Sequence, residues 1–332
     1  MSSQHTTAAR SWEYSHPARS DAPEIIALWN AAFGPAFPLT ERLLSQTLDG
    51  DPYYENDGCF VARENGKIIG WVLSKSMKIA GPEVGRFEKR GGIGALCVHP
   101  DFQNQGIGGE LLNRAENFLR KNNSPVTLLY YPHHLLPGIP AQNENARAFF
   151  SHREYSGWRE CVDLSRELHD YEIPEKVLRA LDENPTVEMR PARESESAAL
   201  IDFVAREFPG GWNYSTRAHF QRNGKASDFI IALENNEIIG FCHTADFRSN
   251  WLLPSTYWFP LLGEKFGGLG PVGLGKAQRK RGLGLALTAV SVADLKARGV
   301  EKMAIDWTNL IAFYEQLGFT VWKKYLQGEK TV

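Results

Sequence analysis

Two short stretches carry residue types that can hold an anion. Gln103-Asn104-Gln105-Gly106-Ile107-Gly108 and Arg279-Lys280-Arg281-Gly282-Leu283-Gly284 each set amide or basic side chains ahead of two glycines, and a helix-like run follows. A helix start offers unpaired backbone N–H groups and a partial positive charge. Glycines at 106, 108, 282 and 284 remove the Cβ atoms that would keep a diphosphate away from the backbone. The second stretch also precedes Asp306 by about 20 residues, as a dinucleotide-binding fingerprint would. It lacks the third glycine of that motif, since Leu287 stands there, and the preceding strand does not hand over directly to the turn. His133 and His134 are adjacent, with no third ligand at strand or helix spacing, so no metal is expected. Cys59, Cys97, Cys161 and Cys242 show no CxxC or Cys/His pattern and read as buried free thiols in a reducing compartment.

The elements that must position these turns occur twice. Pro17-Ala18-Arg19 recurs as Pro191-Ala192-Arg193, and the segment Phe60 to Gly70 recurs as Ile230 to Gly240, each reading as a β-hairpin around Asn65-Gly66 or Asn235-Asn236. The two Gly-rich turns follow, then Phe149 to Tyr155 and its counterpart Phe313 to Phe319. Four landmarks in one order at a nearly constant offset indicate a duplicated domain. The spacing predicts strands over 92–98, 126–131, 269–274 and 302–307. It predicts helices over 108–121, 146–152, 283–298 and 311–317. The expected division is 1–164, a charged linker over 165–187 closing at Asn184-Pro185, and 188–332.

At 332 residues, two domains with their own cores are the natural division. A formal net charge of −2 argues against broad phosphate neutralisation of a nucleic acid. The first residues lack the order of a signal peptide, and no apolar run reaches the roughly 18 residues a membrane span needs, so a cytoplasmic protein without a membrane partner is expected. No feature specifies an oligomeric state.

The stretch from Val98 to Gly108 resembles the acetyl-CoA signature V-x-P-x-x-[QR]-x-x-G-x-G of the GNAT superfamily. The second copy keeps Arg279, Gly282 and Gly284, with Leu274 and Lys276 in place of the valine and proline. The resemblance covers nearly the whole chain. It implies an α/β fold of two tandem GNAT (acyl-CoA N-acyltransferase) domains, each a mixed, mainly antiparallel sheet flanked by helices. It also implies acetyl-CoA as cofactor and a small-molecule primary amine, an amino sugar or an amino acid-like compound, as acceptor. In the family the turn binds the CoA diphosphate and the strand before it holds the pantetheine and polarises the thioester. That points to Leu96, Val98, Gln103, Gly106 and Gly108 with Asn143 in the first copy. In the second it points to Val272, Leu274, Arg279, Arg281, Gly282 and Gly284.

The resemblance further implies that Tyr314, in Phe313-Tyr314-Glu315-Gln316-Leu317-Gly318-Phe319, protonates the departing thiolate; a core tyrosine is the alternative. Asp306, at a strand exit beside Trp307, can accept a proton or recognise an ammonium group, and a structural aspartate stands equally open. Glu88 is the weaker candidate base. Trp212 and Trp307 are the candidate substrate-binding aromatics. The first copy has Phe150 in place of the tyrosine, with Tyr130 or Tyr131 as possible substitutes. Asn143, Ala146 and Phe150 keep the family's N-x-x-A-x-x-x-aromatic spacing, whereas Asn309 lies too close to Tyr314 for it. Two other readings stand beside the enzyme with an active second half: a non-catalytic acyl-CoA sensor or scaffold, and an enzyme whose active half is the first.

Overall fold

The computed structural model describes residues 12–77, 90–124, 126–129 and 134–332. Each half opens with a short strand, β1 (Glu13–Ser15) or β8 (Val187–Pro191), and two helices. These are α1 (Ala22–Phe33) and α2 (Glu41–Leu48) in the first half, α6 (Ser197–Glu207) and α7 (Gly211–Gln221) in the second. A hairpin follows, β2 (Cys59–Glu64) with β3 (Lys67–Ser76), or β9 (Phe229–Glu234) with β10 (Glu237–Asp246). Both hairpin turns carry two residues at positive φ, Asn65 and Gly66 at 50° and 82°, Asn235 and Asn236 at 52° and 65°. That is the geometry whose twist matches the flanking strands.

Next come the strand, Gly-rich turn and helix: β4 (Gly91–Val98) into α3 (Ile107–Lys121), and β11 (Phe266–Leu274) into α8 (Leu283–Ala297). α3 buries one stripe through Ile107, Leu111, Leu112, Ala115 and Leu119. α8 is buried on more than one side, because α5 (Glu175–Asp182) covers its outer face. The Tyr171 hydroxyl, just before α5, donates to Ala289 O at 3.0 Å, and Val177 packs into the same core.

The remaining elements are β5 (Val126–Leu128), the two-residue β6 (Ile139–Pro140), α4 (Glu144–Ser151) and β7 (Ser156–Glu167) in the first half. In the second they are β12 (Lys302–Thr308), α9 (Ile311–Glu315) and β13 (Thr320–Thr331). Each half is thus a mixed, mainly antiparallel sheet flanked by helices. Among the described residues the two sheets join as β1-β2-β3-β4-β5-β13-β7-β12-β11-β10-β9-β8, with β6 on β13. The last strand of each half has crossed to the other: β7 pairs with β12, and β13 pairs with β5. The expected boundary after residue 164 therefore falls inside β7. The expected linker over 165–187 holds the end of that strand, helix α5 and the start of β8. Its charged residues form an exposed face over the buried Leu168, Tyr171 and Val177.

A large core fills the face of the sheet where the halves meet. It joins Trp29, Phe37, Leu43 and Trp71 of the first half to Tyr257, Trp258, Leu262 and Ala304 of the second, with Cys161 of β7 and Tyr325 of β13. The opposite face of the second half is packed by α8 and α9.

Candidate active site at the parting of β11 and β12

In the second half β11 runs parallel to β12 from Phe266↔Lys302 to Leu269↔Ile305, and the register ends there. β11 bulges against β10 at Gly270-Pro271, between the pairs Cys242↔Val272 and Thr244↔Leu269. β12 bulges against β7 at Asp306-Trp307, between Ile305↔Leu164 and Thr308↔Val162. Two bulges at one level part the strands, a device that re-aims side chains. Trp307 there adopts φ 38°, a left-handed conformation costly for a bulky residue. Its N–H donates to Asp163 Oδ1 at 3.0 Å.

Asp306 shares its face of the sheet with Ala304 and the central core, and its Oδ1 lies 3.3 Å from where a Cβ on Gly270 would be. Burial pushes its carboxyl up to about 7, and the nearby Asp163 carboxylate adds to the shift. Asp163 is itself buried and pushed up by burial to about 6, though hydrogen bonds from Tyr325 and Trp307 and the charge of Lys323 pull it back. The Tyr325 hydroxyl donates to Asp163 Oδ2 at 2.6 Å. A base near neutrality beside an opening in the sheet is suited to taking a proton from an amine.

Tyr314, on α9, is buried in the core on the other side of the sheet. Its hydroxyl lies within electrostatic reach of Cys242 and Asp306; burial, then those two groups, raise it above the ordinary tyrosine value. It is therefore protonated at neutral pH, as a proton donor must be. Asp306, beside the opening, thus lies within electrostatic reach of Tyr314, which is packed in the core on the opposite face of the sheet.

The Gly-rich turns have the shape expected of anion sites. Gly106 and Gly282 are the N-caps of α3 and α8 at φ 91° and 76°, and neither helix start receives a side-chain cap. The first-turn N–H groups are therefore left for a ligand or solvent. A Cβ at Gly106 would meet nothing within 4 Å, whereas at Gly282 it would lie 2.9 Å from Ala180 of α5. Arg279 is exposed at the second turn. Arg281 is turned away from the helix start: its guanidinium forks onto Glu234 at 2.7 and 3.1 Å and donates to Asn184 Oδ1 at 3.0 Å. Its charge locks α5 and β9 to the turn. Gln103 Nε2 donates to Val98 O at 3.1 Å, bracing the first turn. Asn143 caps α4 by accepting from Ala146 N at 2.9 Å.

Leu96 and Val98 on β4 pair with Val72 and Gly70, and Val272 and Leu274 on β11 pair with Cys242 and Gly240, so the two pairs hold matching places. Gly108 and Gly284 are the second residues of their helices and face Val98 and Leu274, with would-be Cβ distances of 3.6 Å in each case. The halves differ at the opening. In the first, Leu135 N donates to Gly94 O at 3.4 Å, and Leu135 and Leu136 fill the central core. Phe150, where the second half has Tyr314, is buried against Tyr155. His134 meets Trp307 edge-on, ring centroids 5.5 Å apart. Trp212, 41% exposed, packs at a tilt against Phe208 (ring centroids 5.1 Å apart), and Phe208 covers Gly273 of β11. Glu88, Tyr130, Tyr131 and His133 lie outside the described residues.

Sequence reasoning missed Asp163, Tyr325 and Lys323, which reach the second-half site only through the exchanged strands. Asp163 did carry a signal: an acid inside the apolar run Cys161-Val162-Asp163-Leu164 of a buried strand.

The profile of the acetyltransferase (GNAT) family matches residues 22–153 and again 197–319. The chain belongs to that family. It is 27% identical over 245 residues to the mycothiol acetyltransferase of Thermobispora bispora, covering 69% of this chain and 72% of that protein. It is 26% identical over 308 residues to the mycothiol acetyltransferase of Catenulispora acidiphila, covering 85% and 86%. Among solved structures it superposes with a TM-score of 0.87 and 28% identity on a fungal multi-domain GH3 β-N-acetylglucosaminidase that has a GCN5-related glucosamine N-acetyltransferase region. That match covers 98% of this chain but only 38% of the fungal one. A GCN5-related N-acetyltransferase from Sphaerobacter thermophilus shares the fold at TM-score 0.68 and 17% identity, covering 96% and 95%. Membership of the GNAT family supports the use of acetyl-CoA, and the two helix starts without a side-chain cap are the places whose backbone N–H groups could receive its diphosphate. Among the described residues no helix is long and apolar enough to cross a membrane.

Proposed function

We propose that this GNAT chain transfers the acetyl group of acetyl-CoA to the primary amine of an amino sugar, with the second half as the catalytic one. The observation that carries this reading is the parting of β11 and β12 beside Asp306, with Tyr314 within electrostatic reach of that carboxyl. Acetyl-CoA supplies the acetyl group as an activated thioester. The turn from Arg279 to Gly284, without the Arg281 side chain, grips its diphosphate through backbone N–H groups, and Val272 and Leu274 line the pantetheine path. Asp306 takes a proton from the acceptor ammonium group. The freed amine forms the new C–N bond as the C–S bond breaks; Tyr314 gives its proton to the departing sulfur, and the proton shed by the new amide nitrogen restores the Tyr314 hydroxyl. A neutral amine must be made on the enzyme because free primary amines hold their protons to about pH 10.

The amino-sugar acceptor is supported by the likeness to the fungal protein that has a glucosamine N-acetyltransferase region, a match covering 98% of this chain and 38% of that one. Trp212 beside Phe208, and Trp307 at the bulge, offer aromatic faces for a sugar ring. Four buried free cysteines suit a reducing cytoplasm. The test is release of CoA thiol from acetyl-CoA with a panel of primary amines led by D-glucosamine. Release confined to amino sugars is expected; release confined to amino acids or thiol-bearing amines would replace the proposed acceptor class.

A further inference from the structure

We propose that Asp163, carried by the first half of the chain, is a positioning residue for Asp306 of the second half. Its Oδ1 holds the left-handed bulge that turns Asp306 into the opening between β11 and β12. The inference rests on the reading of Asp306 as the proton acceptor.

The argument starts from the β-bulge. Between Ile305↔Leu164 and Thr308↔Val162, β12 has two residues, Asp306 and Trp307, facing only Asp163 on β7. The surplus residue is accommodated by Trp307 at φ 38°, a conformation that persists in a bulky residue only where its surroundings impose it. The Trp307 N–H cannot join the regular ladder there; it donates to Asp163 Oδ1 at 3.0 Å. Asp163 Oδ2 is fixed in turn by the Tyr325 hydroxyl at 2.6 Å. Asp163 is 4% exposed, so no solvent is at hand to replace it. Each exchanged strand therefore supplies one part of the clamp: β7 the carboxylate and β13 the hydroxyl that orients it.

The same carboxylate faces Asp306 electrostatically. The other titratable groups around the pair are Cys161 on β7, Lys323 and Tyr325 on β13, Tyr257 from the segment before β11, and Tyr314 on α9. Asp163 thus sets both the aim and the proton affinity of Asp306 without touching the reacting atoms.

The experiment uses the full chain with acetyl-CoA and D-glucosamine as probes. It compares Asp163→Ala, Asp163→Asn and Asp306→Asn for kcat, KM and pH profile, and follows the Asp306 carboxyl by ¹³C NMR without substrate. Asp163→Ala is expected to lower kcat about 10²-fold, the cost of a misplacement of about 1 Å, with the KM for acetyl-CoA unchanged. Asp163→Asn still offers an oxygen to the Trp307 N–H and should restore most of kcat. Its acid limb and the Asp306 titration should move to lower pH, because a neighbouring negative charge is gone. A role confined to folding would not move either titration. Wild-type kcat in Asp163→Ala, or an unmoved Asp306 titration in Asp163→Asn, overturns the proposal. The Asn variant carries the test alone if the Ala variant fails to fold. Full turnover in Asp306→Asn would instead remove Asp306 as the base, and the NMR titration would still decide whether Asp163 governs it.

Discussion

At the scale of single residues, the proposed mechanism gives opposed tasks to two titratable groups within electrostatic reach of each other, Asp306 and Tyr314. Asp306 is raised from 3.8 to about 7 by burial and then by Asp163, so kcat should climb as pH rises through about 7 and level off above it. In Asp306→Asn that limb should vanish along with most of the activity. The same shift bears on stability. A carboxyl whose affinity for protons rises on folding contributes stability that is full below pH 3.8 and is lost as pH rises through about 7. Asp306→Asn should therefore raise the melting temperature by about 2–4 °C at pH 8, and the gain should disappear by pH 4; a scan at both pH values checks the sign. Tyr314→Phe keeps the packing and removes only the hydroxyl. Steady-state kinetics should show kcat lowered about 10²-fold or more with little change in the KM for acetyl-CoA. An unchanged kcat would make Tyr314 a core residue only.

At the scale of elements, the two helix starts are alike in backbone and unlike in surroundings. Gly106 is open, while Gly282 is bordered by Ala180 of α5, itself tied down by Arg281, Glu234 and Asn184. Gly282→Val should raise the KM for acetyl-CoA about tenfold or more, because a β-branched residue resists φ 76° and crowds the turn. Gly106→Val meets only the φ penalty and should leave turnover near that of the wild type; equal loss of turnover in both variants would assign catalysis to both halves. The hairpins, the Gly-rich turns and the helices after them were legible from the sequence because each has a local signature: Asn65-Gly66, the glycines at 106 and 282, the apolar stripe of α3. The role of Arg281 was not legible. A basic residue in such a turn looks like an anion ligand until Glu234, distant in sequence, is seen to fork onto it.

At the scale of the whole molecule, the duplication showed plainly in the repeated landmarks, but the exchange of last strands did not. β7 and β13 lie just past the last landmark of each repeat, and nothing local says which sheet they join. The consequence is that neither half closes its own sheet. Residues 1–172 and 173–332 made separately should fail to give monomeric folded domains, since each would lack the strand supplied by the other. Made together they should assemble and regain activity, which gel filtration and thiol release would show. Two independently folded fragments would contradict the joined sheet. The exchange also brings first-half residues to the proposed second-half site: Asp163 arrives on β7, and Phe37 and Trp258, ring centroids 5.2 Å apart, join the core from opposite halves.

The most direct test of the central claim is thiol release from acetyl-CoA by the full chain with D-glucosamine, run beside Asp306→Asn and with the product identified by mass. N-acetylglucosamine formed by the wild type and nearly abolished in the variant is the predicted result. Undiminished product from Asp306→Asn, or no product from any primary amine while CoA still binds, would contradict it.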